Sequence, residues 1–327
     1  MKKLLRGVCL MGVVALLATS CKKTNTNSMV YHGYSYDKEF ETELANYDGD
    51  GSRAYIDATA KVMFEADDQV ILFNVDNADG TGTECAMYKV QADSYQPVLE
   101  PVGAESVSDE LMALGKYAFY PGDNVTPQLA NENRATFPLV STQEYREISG
   151  APVIDKNSLY MAAKIDNELE AVNVFAFRNI CGVLTLKFFS PSGKTVKSIA
   201  VTDHEMYLSG DVTLKIHEVD PGYMMQLFRN YGAAGNEELI AEYMQQAGYS
   251  VAVDSKTMTL DCGTGVQLGT SRNDANTFYM VLRPLALRGG FDIDITFSDN
   301  TTKTISVDRD NTIKPNTYRV FPAMNVD

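Results

Sequence analysis

The sequence predicts an all-β fold of antiparallel sandwiches with a minor helix, and two observations carry that prediction. Strand-length runs of alternating apolar and polar residues recur along the 327 residues, separated by clusters of glycine, proline, asparagine and aspartate. In "FDIDITFS" the alternation is clearest. Phe291, Ile293, Ile295 and Phe297 share one face, while Asp292, Asp294, Thr296 and Ser298 share the other. Strands wet on one side belong to antiparallel sheets. Short strands with turn signals at this spacing suggest sandwiches rather than a parallel α/β sheet.

The chain begins with Lys2, Lys3 and Arg6 ahead of an apolar run from Val8 to Leu17. These are the basic and apolar regions of a signal peptide, too short to span a bilayer comfortably. Ala18, Thr19 and Ser20 then precede Cys21, and "KKTN" follows. The pattern resembles the lipobox of bacterial lipoproteins, in which the thiol receives a diacylglycerol and the peptide is cut just before it. Residues 1–20 are thus expected to be the signal and Cys21 the lipid attachment site. Leu17 stands four places before the cysteine, and Ala18 fills the slot where a leucine is usual. The alternative is a plain secretory signal with an incidental cysteine.

Residues 21–52 are polar and end in "YDGDGSR"; they read as a tether, with one candidate strand in "MVYHGYSY". From there to "DNADGTG" the pattern is strand, turn, strand, with Asp67 and Asp68 in the turn "EADDQ". Further strands are expected in "KYAFYPGD", "RATFPLV", "VNVFAFRN", "GVLTLKFFSPSGKTVKSIAVT", "SKTMTLDCG" and "NTFYMVLRP". "SDNTT" turns the "FDIDITF" strand back into "KTISV". A helix is expected in "GNEELIAEYMQQAGY", with Asn236 as N-cap, Gly248 as stop, and Leu239, Ile240, Tyr243, Met244 and Ala247 as one stripe. "SVSDELMALG" reads as a second, shorter helical turn. The polar "IDNELE" separates two strand-rich halves, 53–168 and 169–327.

Loss of residues 1–20 removes three cations and no anions, taking the formal charge from -15 to -18. So acidic a chain argues against nucleic acid or anionic lipid surfaces as partners. Beyond the signal, Cys85, Cys181 and Cys262 leave at least one thiol unpaired, and no C-x-x-C pair suggests zinc or redox chemistry. His32, His204 and His217 make no paired ligand spacing, and there is no G-x-S-x-G elbow. Gly263, Gly265 and Gly269 follow a strand, but "TSRNDANT" stands where a dinucleotide-binding helix should begin. Twelve positions from Asp48 end at Thr59 rather than glutamate, so "DGDGS" is not an EF-hand. No catalytic residue, metal site or cofactor site is indicated, and the chain is not expected to be an enzyme.

Taken together, these stretches resemble the fimbrillin-like family, the type V pilus subunits and related lipoproteins of Gram-negative gut and oral bacteria. "RAYIDATAKVMFEADDQVILFN" is similar to the family's opening hairpin and "KYAFYPGD" to its Y-x-A-x-Y-P strand. "VFAFRNICGVLTLKFFSPSGKTVKSIAVT" resembles the start of the second domain. "FYMVLRPLALRGGFDIDITFSDNTTKTISV" and "IKPNTYRVFPAM" resemble the closing strands. Phe64 and Asp67 stand where the family's hairpin often has tryptophan and glycine; an aromatic is kept for the core, and aspartate can adopt the turn.

The resemblance implies two tandem transthyretin-like β-sandwich domains on a lipoprotein brought to the outer membrane. It implies strand donation between pilus subunits, with a host or bacterial surface ligand as a further partner. It also implies cleavage after an arginine near the start of the first domain, and Arg53 matches that place. The alternatives are an ordinary exposed arginine and a terminal or anchoring subunit that is never cut, since little chain follows "TYRVF". A lipid-anchored glycan-binding protein is the competing function; with no tryptophan, its platforms would have to come from the 18 tyrosines.

Overall fold

A computed structural model describes residues 31–35, 41–44, 64–94, 96–129, 133–148, 150–165, 174–218, 250–251 and 254–327. The fold is all-β; most strand pairs among the described residues are antiparallel, and parallel pairs occur in the barrel and in two of the other sheets.

Seven strands close on themselves as a barrel, in the order Tyr31–Ser35, Val174–Asn179, Met161–Ile165, Gly115–Tyr120, Gln69–Val75, Glu84–Val90 and Val98–Pro101. Two of these strands are buried on both faces. In Gln69–Val75, Val70 and Leu72 fill the barrel, while Ile71, Phe73 and Val75 join a second, larger core outside it. Gly115–Tyr120 does the same, with Ala118 and Tyr120 inside and Tyr117 and Phe119 outside. This is why "VILF" and "YAFY" read as continuous apolar runs rather than as alternation. The turn before Gln69 matches expectation. Asp67 has a φ of 67°, and Phe64 is fully buried, 5.2 Å from the Tyr120 ring and 5.6 Å from Phe177.

The larger core is shared by three more sheets. One runs Thr302–Val307, Phe291–Phe297, Thr195–Asp203, Thr257–Gln267, Thr142–Glu144; another runs Asn276–Leu282, Gly182–Phe189, Thr317–Val320, Glu41–Leu44. The third pairs Ser250–Val251, Gly210–Lys215, Arg134–Leu139 and Thr126–Gln128. Phe291, Ile293, Ile295 and Phe297 are all buried, as their alternation requires. The strands either side of "SPSG", Gly182–Phe189 and Thr195–Asp203, go to different sheets, so this turn is a sandwich corner. Asp327 fastens it, accepting from Ser192 N at 2.9 Å, Ser192 Oγ at 2.7 Å and the Ser190 hydroxyl.

Strand pairing crosses residue 168 repeatedly. Met161–Ile165 pairs with Val174–Asn179, Arg134–Leu139 with Gly210–Lys215, and Thr142–Glu144 with Thr257–Gln267. The expected helical turn in "SVSDELMALG" is not formed; residues 106–114 run as bends and a turn. Tertiary partners take the backbone groups a helix would have used. Asn74 Nδ2 donates to the carbonyls of Ser108 and Glu110, Ser108 N donates to Glu84, and Lys116 Nζ donates to Asp109 O. The helix expected at 235–249 and the hairpin's first strand at 54–63 lie outside the described residues.

Candidate functional site

Inside the segment read as a tether, two short strands attach to two different sheets. Tyr31–Ser35 lies between Val98–Pro101, antiparallel, and Val174–Asn179, parallel, and so closes the barrel. Glu41–Leu44 runs parallel to Thr317–Val320 at the far side of a second sheet, with Thr42 beside Tyr318 and Leu44 beside Val320. The alternation in "MVYHGYSY" indicated the first. "ETEL" gave no signal for the second, because four residues with two glutamates carry neither an apolar face nor a turn signature.

Tyr31 anchors the first strand and is 0% exposed. Its ring centroid lies 5.5 Å from Tyr88, edge-on, and 5.6 Å from Phe175. Lys116 Nζ sits 5.7 Å from the same ring, close enough for a cation–π attraction. Lys116 is itself only 1% exposed, and burial lowers its pKa from the usual lysine range. The Tyr31 hydroxyl is buried without a hydrogen-bond partner, and burial, followed by the nearby Tyr88, raises its pKa. The socket therefore suits the ring and leaves its hydroxyl unpaired.

The sequence-predicted site residues Cys21 and Arg53 lie outside the described residues. Cys181 and Cys262 are free thiols. Burial pushes the Cys181 and Cys262 thiols up to about 12, which makes them poor nucleophiles. Gly263 and Gly265 fall within the strand Thr257–Gln267, and only a three-residue 3-10 turn, Arg272–Asp274, follows. That geometry is not a dinucleotide-binding turn. "DNADGTG" is a solvated turn in which Asp79 accepts from both Thr81 N and Thr81 Oγ1.

A cleft of about 720 Å³ is lined by Glu144, Tyr145, Glu147, Asp261, Gln267 and Asn276 among others. Many of its polar groups are already bound internally. Tyr145 donates to Glu147, Gln267 bridges Gly193 and Thr195, and Asn276 Oδ1 accepts from Gly269 N.

His204 lies on the surface, its ring nitrogens 3.1 Å from Gly289 O and 3.2 Å from Asp292 Oδ2. The Asp292 carboxylate raises its pKa above the ordinary imidazole range, with the Gly289 carbonyl adding to the effect. Any stability this pair adds is present below the unfolded pKa and lost as pH rises through the folded one. Exposure keeps the contribution small. Asp292→Asn is expected to lower the midpoint of the His204 imidazole proton shift in an NMR titration, leaving only the smaller effect of the Gly289 carbonyl and Asp203. An unchanged midpoint would show that Asp292 does not set it.

No family model and no curated protein sequence matches the chain. Among solved structures, it is similar to a "putative cell adhesion protein" from Bacteroides uniformis, at 11% identity and a TM-score of 0.47, covering 80% of this chain and 88% of that one. A "putative cell adhesion protein" from Bacteroides ovatus is 14% identical with a TM-score of 0.43, covering 90% and 94%. A fimbrial protein from Bacteroides ovatus is 12% identical with a TM-score of 0.34, covering 88% of this chain and 50% of that one.

Proposed function

We propose that the protein is a cell-surface fimbrial subunit or pilus-associated adhesive lipoprotein, held at the outer membrane through a lipid on Cys21. It assembles with other subunits by strand exchange. One observation carries this reading: the strands Tyr31–Ser35 and Glu41–Leu44 both precede Arg53 in the chain and both complete sheets made by residues that follow it. A cut after Arg53 would separate the body from Cys21 and from both strands at once. Val98–Pro101, Val174–Asn179 and Thr317–Val320 would then be left with unpaired backbone groups beside apolar side chains. Such edges are templates for a strand from another chain. The division of the body into residues 53–168 and 169–327 belongs to the same proposal.

Protein purified from the native cell surface should begin at Ala54 on N-terminal sequencing, and Arg53→Ala should abolish any ladder of multimers. Cys21→Ala should abolish labelling by radioactive fatty acid. Mature surface protein that still joins Cys21 to Arg53 would sink strand exchange by cleavage and leave an uncut anchor.

A further inference from the structure

We propose that the slot filled by Tyr31–Ser35 selects a neighbouring subunit's strand by an aromatic residue, its ring entering the Tyr31 socket. The inference rests on the strand-exchange reading above and names the partner strand that the slot would accept. The occupant seen in the slot is the guide, because Tyr31 shows what its position accepts.

The first position is built around a ring. Tyr88 meets Tyr31 edge-to-face at 82°, Phe175 lies tilted at 45°, and the Lys116 ammonium is directed at the ring. Each of these contacts draws on the ring's quadrupole, so an aliphatic side chain of similar volume would gain the burial but lose all three. The buried cation sharpens the preference. Lys116 Nζ is held by the carbonyls of Asp109 at 2.8 Å and Glu110 at 3.3 Å, so it cannot simply turn out to water when the ring is withdrawn. The hydroxyl is not part of the recognition, since it is buried without a partner. Phenylalanine should therefore fit at least as well as tyrosine.

The test uses the full chain with a site for a sequence-specific protease in place of residues 48–53, so that strand release does not depend on cleavage at Arg53. After cutting, a fluorescent peptide of residues 28–47 is bound and competed with unlabelled variants. Tyr31→Phe should compete as well as or better than the parent. Tyr31→Leu should be about tenfold weaker and Tyr31→Ala about a hundredfold or more weaker. Leucine competing like tyrosine would overturn the proposal. If the cut strand never exchanges, the same substitutions in the intact chain are ranked by urea midpoint, and any other order overturns it. A chain that is never cut at Arg53 in cells would defeat the assembly reading while leaving this ranking as it stands.

Discussion

Replacing Gln143 by alanine is expected to destabilise the protein by about 3–5 kcal/mol, seen as a lower urea midpoint with an unchanged m-value. Gln143 is 1% exposed and sits on Thr142–Glu144, at the end of one sheet of the sandwich. Its side-chain amide behaves as a strand's peptide group would. Nε2 donates to Val281 O at 2.7 Å, and Oε1 accepts from Val281 N at 2.8 Å. Val281 lies on Asn276–Leu282, the edge of the other sheet, where no further strand satisfies that side among the described residues. One glutamine therefore joins two sheets inside their common core. Alanine would leave a backbone donor and a backbone acceptor buried without partners, each costing about 1–3 kcal/mol, and would also open a cavity. Gln143→Leu separates the two effects, since it restores volume but no hydrogen bond. It should recover only the packing part. A loss under about 1 kcal/mol for alanine would mean that water has taken the place of the amide.

Much of the barrel and sandwich was legible because burial on one face imposes period two. Phe291–Phe297 announces itself, and so do Val174–Asn179 and the turns at Asp67 and Asp299. Sheet membership was less accessible. Nothing local in "SPSG" says that the strands on either side go to different sheets. That outcome depends on partners far along the chain, Thr257–Gln267 for one strand and Asn276–Leu282 for the other. The candidate site divides in the same way. Arg53 and Cys21 came from resemblance to processing motifs, and Tyr31–Ser35 from alternation. Glu41–Leu44 was missed because a short parallel strand at a sheet edge needs only backbone complementarity, which any non-proline sequence can supply. Lys116 was missed as well. A lysine between Gly115 and Tyr117 reads as the solvent side of a strand until both faces of that strand prove to be covered.

Asn74→Leu is expected to cost about 3 kcal/mol and to release the loop at residues 106–114 from the end of the barrel. Asn74 is 0% exposed near the end of an apolar strand, where leucine has the same branched heavy-atom outline. Sequence alone gives no reason to prefer the polar residue. The structure does. Nδ2 donates to Glu110 O at 2.7 Å and Ser108 O at 3.2 Å, while Oδ1 accepts from Met112 N at 3.2 Å. The loop thus keeps its backbone satisfied without becoming a helix, despite the helix-forming "DELMAL" within it. Val107, 1% exposed, is carried into the barrel by this arrangement, with its N–H on the Tyr88 hydroxyl at 3.3 Å. Tyr88 is also the ring that meets Tyr31 edge-on, so the loop and the N-terminal strand share one wall. Without Asn74, the amide of Met112 should lose its protection from hydrogen exchange, and the remaining hold on the loop falls to Lys116 and Glu84. Helix gained in that segment by NMR would follow directly, since its local preference would no longer be opposed. Unchanged exchange at Met112 would show instead that Lys116 and Glu84 suffice, and that Asn74 is tolerated rather than required.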